Sequence, residues 1–200
     1  MTQRTLLVGF LAAGISLAGI DAAPARQAPP APPSKPASPN KAWQVATPAR
    51  ERFSVETPAA FSSEVVEFGP KVKGNFYSCT GDGINGNILS VRLDEIPSAP
   101  KATLNGWVAA FLPTLVQSAE SASGGKMTIG LTREVDLSGY PGREYQGTVS
   151  KEAAGAVAFA KFRFFIVRDV IYVFAAFSFG EESPNLKRFV ESVKLIPSKP

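Results

Sequence analysis

VAFAKFRFFIVRDVIYVFAAFS, residues 157–178, is the stretch whose reading decides the fold. Two apolar runs flank Arg168-Asp169, which predicts two antiparallel strands, 157–167 and 170–178, joined by a tight hairpin. Side chains alternate across a strand, so Phe159, Lys161, Arg163 and Phe165 share one face. Phe162 and Phe164 lie on the other. A sheet covered on one side only would not need aromatics on both, so packing is expected on both faces. The expected class is α+β: an antiparallel sheet of about six to eight strands between helices.

Upstream, Phe53-Ser-Val-Glu-Thr57 alternates apolar and polar residues and ends at Pro58, as a half-buried strand does. Further strands are expected over 64–73, 75–80, 87–95, 127–135 and 143–150. Gly81 to Gly86 is read as a loop between two of them. Leu104, Trp107, Val108, Phe111, Leu112 and Leu115 recur at three and four residues and predict a helix, kinked or split by Pro113. The run 121–125 is expected to be a loop. Tyr140-Pro-Gly-Arg143 has the Pro-Gly centre of a type II turn. Ser183-Pro184 opens a last short helix with a buried stripe of Leu186, Phe189, Val190 and Val193.

The N-terminus is different in character. Arg4 precedes an uncharged apolar run from Leu6 to Ile20, and Ala23-Pro24-Ala25 fits the small-x-small rule of a signal peptidase site. Residues 1–25 are therefore expected to be an export signal cut after Ala25, with Ala22 as second choice. The alternative is an uncleaved membrane anchor, but fifteen residues rise only about 22 Å as a helix, short of a roughly 30 Å hydrocarbon core; once the signal is cut, no stable membrane span is expected. Residues 26–42 form a Pro-rich linker: six prolines stand among the sixteen residues 26–41, with basic but no acidic side chains. The rest, 43–200, is one domain.

The 200 residues contain no histidine and one cysteine, Cys79. That removes the commonest general base, the commonest metal ligand and any internal disulfide. Cys79, between Ser78 and Thr80, reads as a small buried hydrophobe. A net charge of +4 in an exported chain gives little reason to expect nucleic acid. Gly81-Asp-Gly-Ile-Asn-Gly86 matches a dinucleotide-loop pattern by letter, but a strand and not a helix follows it, so a hairpin is expected. As a calcium loop it fails, with Ile84 and Gly86 where oxygen ligands belong. Ser98-Ala-Pro-Lys101 and Ser123-Gly-Gly-Lys126 match the serine–lysine motif of penicillin-binding enzymes without its partner motifs. The acidic pairs Asp94/Glu95, Glu134/Asp136 and Glu181/Glu182 sit at strand ends and in a loop.

FSVETPAAF, LSGYPGREYQG, the FRFFIVRDVIYVFAAF hairpin and NLKRFVESVKL, in that order, resemble PsbP-like proteins over roughly residues 50–197. The resemblance implies a central antiparallel sheet in an α/β/α sandwich. It also implies a docking domain, since one relative is an extrinsic subunit on photosystem II and another binds a small GTPase. Metal chemistry that leans on histidines in the photosystem protein does not transfer to this histidine-free chain. The expectation is an exported, non-catalytic binding or accessory module of the bacterial envelope, without a cofactor or metal. Its partner would be an envelope protein or surface, met by the face of Phe159, Lys161, Arg163 and Phe165. The alternatives are a small hydrolase using a Ser-Lys or carboxylate pair, and a wall-associated protein acting through its Pro-rich arm.

Overall fold

A computed structural model describes residues 42–49, 51–67, 73–151 and 155–196. The expected cleavage sites at Ala25 and Ala22, and the linker up to residue 41, lie outside the described residues.

Among the described residues, ten strands and two helices follow in the order β1 (Gln44–Ala46), β2 (Phe53–Thr57), β3 (Ser62–Glu67), β4 (Lys73–Gly81), β5 (Ile84–Arg92), α1 (Pro100–Ser123), β6 (Lys126–Leu137), β7 (Tyr140–Lys151), β8 (Gly155–Val167), β9 (Val170–Phe179), α2 (Asn185–Glu191) and β10 (Lys194–Leu195). Seven strands make one antiparallel sheet in the order β3-β4-β5-β9-β8-β7-β6. The deciding hairpin, β8–β9, stands at its centre, with Val167 opposite Val170 and Phe162 opposite Ala175. A second small sheet has the order β1-β2-β10.

Alternation sorts the central strands into two cores. Phe162, Phe164 and Ile166 of β8, with Ile171 and Val173 of β9, pack with Leu104, Val108, Phe111 and Leu115 of α1. Phe165 and Val167, with Tyr172 and Phe174, pack with Phe53 and Val55 of β2 and with Leu186, Phe189 and Val190 of α2. Burial on both faces explains why β9 is apolar almost without interruption. The covering layers differ: a long helix on one side, and a short helix with the small sheet on the other.

Several expectations need correction. The type II turn is not at Pro141-Gly142, which lie within β7; the chain reverses at Ser138-Gly139, both at positive φ, +53° and +88°. Two positive-φ residues give the turn the twist that adjoining strands require. Likewise the loop 81–86 shrinks to Asp82-Gly83, and β5 begins at Ile84. Helix α1 is one element of 24 residues, and 121–123 belong to it. Pro113 leaves the carbonyl of Ala109 without a helical donor, but both residues face solvent, where water can replace it. Val193 is buried beyond the end of α2 and not on its stripe.

Where the chain enters the fold, Trp43 is fastened on two sides. Its indole N–H donates to Asp82 Oδ2 at 2.7 Å, and the Arg188 guanidinium lies 4.3 Å from its ring centroid. Arg188 in turn donates to Glu56 Oε2 at 2.8 Å.

Candidate functional site

Phe159, Lys161, Arg163 and Phe165 share a face, as the alternation implies, but they do not form an open patch. Phe165 is 1% exposed and belongs to the core. Lys161 and Arg163 turn inward onto Glu144 of β7, itself 1% exposed. Cross-strand register puts Arg133, Glu144 and Arg163 in one row over β6, β7 and β8. Glu144 Oε2 accepts from Arg163 Nε at 2.6 Å and from Arg133 Nη2 at 3.2 Å, and Lys161 Nζ lies 3.6 Å from Oε1. Burial alone would raise this carboxyl; the two arginine hydrogen bonds, with the charges of Arg163 and Lys161, outweigh it and hold the group below its usual 4.5.

The same arginines reach the end of α2. Arg133 and Arg163 donate to Glu191 Oε1 at 2.8 and 3.0 Å, and Arg163 donates to the Val190 carbonyl at 3.3 Å. A helix C-terminus leaves carbonyls unpaired and disfavours an acid, so these donors satisfy both. The partner of this basic face is therefore the chain's own α2. Alternation gave the face correctly but carried no information about what lies on it.

A second polar group fixes the segment before β2. Glu51 Oε1 accepts from Asn75 Nδ2 at 3.1 Å, Tyr77 Oη at 3.0 Å and Ser90 Oγ at 2.6 Å. Tyr172 also bonds to it, and burial together with the Glu51 charge pushes the phenol of Tyr172 well up, so it stays a neutral donor. Asn75, Ser90 and Tyr172 are successive partners across β4, β5 and β9, so the sheet itself builds this row of donors.

Beside that clamp opens a cleft of about 400 Å³. Three separate segments meet there: Arg52 before β2; Arg92 to Ile96, leaving β5; and Val167 to Val170 at the β8–β9 hairpin, with Tyr172 behind. The meeting is held by the Leu93 N–H donating to the Asp169 carbonyl at 2.7 Å, and by the Ile196 N–H donating to the Arg52 carbonyl at 2.9 Å. Arg92 Nη1 donates to Asp169 Oδ2 at 2.6 Å. Among the described residues, Arg52 and Arg168 have no carboxylate within ion-pair distance, nor do Asp94 and Glu95 have a basic partner. Ile96, at 59% exposure, completes the rim. Sequence reading missed this site because its arginines lie far apart in the chain. The one local signal was Arg168-Asp169 at a hairpin tip.

The other sequence candidates do not converge. Ser98 and Lys101 are exposed at the start of α1. Ser123 closes that helix. Glu134 pairs with Arg143 at 3.0 Å, Asp136 accepts the Gly139 N–H at 2.8 Å, and Glu182 accepts from Gln146 at 3.0 Å. In the dinucleotide-like run, Gly83 takes φ +74° in the hairpin, and a side chain at Gly86 would strike the Phe189 ring at 2.6 Å. Among the described residues, no group of three acidic or cysteine side chains is placed to hold a metal ion. Nor is any helix there long and apolar enough to cross a membrane.

No family profile matches the chain, and no curated protein matches it. Solved structures do. Cyanobacterial PsbP (CyanoP) from Synechocystis sp. PCC 6803 aligns at 14% identity with a TM-score of 0.51, over 84% of this chain and 99% of its own. A Bacteroides thetaiotaomicron protein aligns at 9% identity and TM-score 0.39, over 72% of this chain and 45% of its own. A Pseudomonas aeruginosa protein of unknown function, described as a putative regulator, aligns at 12% identity and TM-score 0.31, over 69% and 83%. The first alignment takes in nearly the whole cyanobacterial structure and shows that this chain has the PsbP-like fold.

Proposed function

We propose that the chain is an exported, non-catalytic binding module of the bacterial envelope. Residues 1–25 would direct export, 26–42 would act as a spacer, and 43–200 would form one sandwich domain that binds through the Arg52–Arg168 cleft. The observation that carries this reading is a contrast in how the charges are used. On the α2 face, Glu144 and Glu191 are shared among Arg133, Lys161 and Arg163. At the cleft, two guanidinium groups and two carboxylates stand unpaired around an exposed isoleucine, among the described residues. Charges without internal partners, on a rim fixed by backbone hydrogen bonds, are what a pre-organised binding site presents.

Affinity capture from envelope extract tests it, with the chain, a form lacking residues 26–41 and an Arg52→Gln/Arg168→Gln variant. A saturable ligand kept by the arm-less form and lost by the double variant is expected. Retention by the double variant, or loss on removing the arm alone, would overturn the assignment of binding to the cleft.

A further inference from the structure

Resting on that reading, we propose that the cleft recognises a zwitterion: a ligand that carries a free carboxylate and a free ammonium, with an apolar side chain. Free amino acids and short peptides with both ends free share this chemistry. Three guanidinium groups and three carboxylates line the cleft, and Arg92 with Asp169 accounts for one of each at 2.6 Å. Arg52 and Arg168 remain on the basic side, Asp94 and Glu95 on the acidic side. A simple anion would gain the arginines but meet two like charges on the same rim. A simple cation meets the reverse. Only a ligand bearing both signs leaves neither pair uncompensated, and desolvated charges without partners are what a binding site must avoid.

The apolar part has its place as well. Val167 and Val170 form buried wall and Ile96 stands open at the mouth, so one aliphatic side chain would cover surface now facing water. The volume of about 400 Å³ lies at the small end of ligand pockets, which suits one or two amino-acid units. Arg168 adds an independent argument. It holds φ at +56°, a conformation that glycine or asparagine adopts at less cost, so the hairpin tip gives up stability to keep an arginine there. Its guanidinium has no internal ion pair among the described residues, so the use of that side chain lies in the cleft.

The test is an amide chemical-shift titration of the full chain at low ionic strength. The probes are leucine, Leu-Leu, N-acetyl-leucine, leucinamide and inorganic phosphate. Saturable shifts at Arg168, Asp169, Val170 and Ile96 are expected with leucine or Leu-Leu, and which of the two binds tighter assigns the single residue or the peptide. Blocking either end should weaken binding at least tenfold, and Arg168→Gln and Asp94→Asn should each do the same while leaving the remaining amide spectrum intact. Equal binding of N-acetyl-leucine or of phosphate would overturn the proposal in favour of a plain anion site. Absence of shifts at the cleft with every probe would overturn it too. Either failure is separable from failure of the binding-module reading, because capture by the chain and its loss in the double variant are measured without these probes.

Discussion

On β4, Cys79 shares with the Phe189 ring the space that a side chain at Gly86 would need. Burial pushes its thiol up to about 12, with a backbone hydrogen bond from Gly86 offsetting a little of the rise. At pH 8 only about one molecule in 10⁴ then carries the reactive thiolate. An aromatic disulfide reagent at pH 8 should therefore react at least about 100-fold faster in denaturant than with the native chain. Equal rates would mean that Cys79 is not enclosed. Gly142 tests packing in the same direct way. Its position opposite Phe165 leaves that ring lying against the backbone, and an added Cβ would also come 2.8 Å from the Phe164 carbonyl oxygen. Gly142→Ala should destabilise by about 1–3 kcal/mol, as overpacking does. A denaturation midpoint unchanged from wild type would show that Phe165 can step aside.

At the scale of elements, α2 is held to the sheet by apolar contacts and by the Glu144 network together. Because the folded carboxyl titrates below its usual 4.5, its ionised form favours the native state. That contribution is complete above the usual value and is lost as pH falls through the lowered one. Glu144→Gln removes the charge at every pH. The variant should be less stable than wild type at pH 7 by roughly 1–3 kcal/mol, since Arg163 keeps Glu191 as a partner. The gap should begin to narrow as pH falls below 4.5 and close only once pH has passed the lowered value, where wild type itself becomes neutral at this site. A gap that stays constant with pH would mean that side-chain shape and not charge fastens α2. The elements were legible in proportion to their length and period. The β8–β9 hairpin, α1 and α2 follow from apolar spacing, whereas β1 and β10, of three and two residues, are too short for any period to show. Pro141-Gly142 misled because a turn pair can also stand in a strand. There the glycine serves close approach to an aromatic ring, and the reversal falls to Ser138-Gly139. Of the site, only Arg168 carried a local signal; the meeting of Arg52, Arg92 and Arg168 is a product of topology.

For the whole molecule the decisive feature is that one sheet serves two cores. Strands β5, β8 and β9 each send alternate side chains to the α1 side and to the α2 side. Neither core can therefore lose its packing without loosening the surface on which the other is built. The two tryptophans report on the two sides separately: Trp107 packs beside Phe111 and Phe164 under α1, and Trp43 lies on the side of α2. Trp43→Phe and Trp107→Phe single-tryptophan variants, followed by fluorescence in denaturant, should each show one transition that coincides with loss of sheet by circular dichroism of the same protein. Phe164→Ala, which empties the centre of the α1-side aromatic group, should cost about 3–5 kcal/mol. Introduced into the chain that keeps only Trp43, it should shift that transition by the full amount although Trp43 lies on the opposite face. A Trp43 midpoint that ignores Phe164→Ala would mean that the two cores unfold independently, and that the shared strands do not couple them.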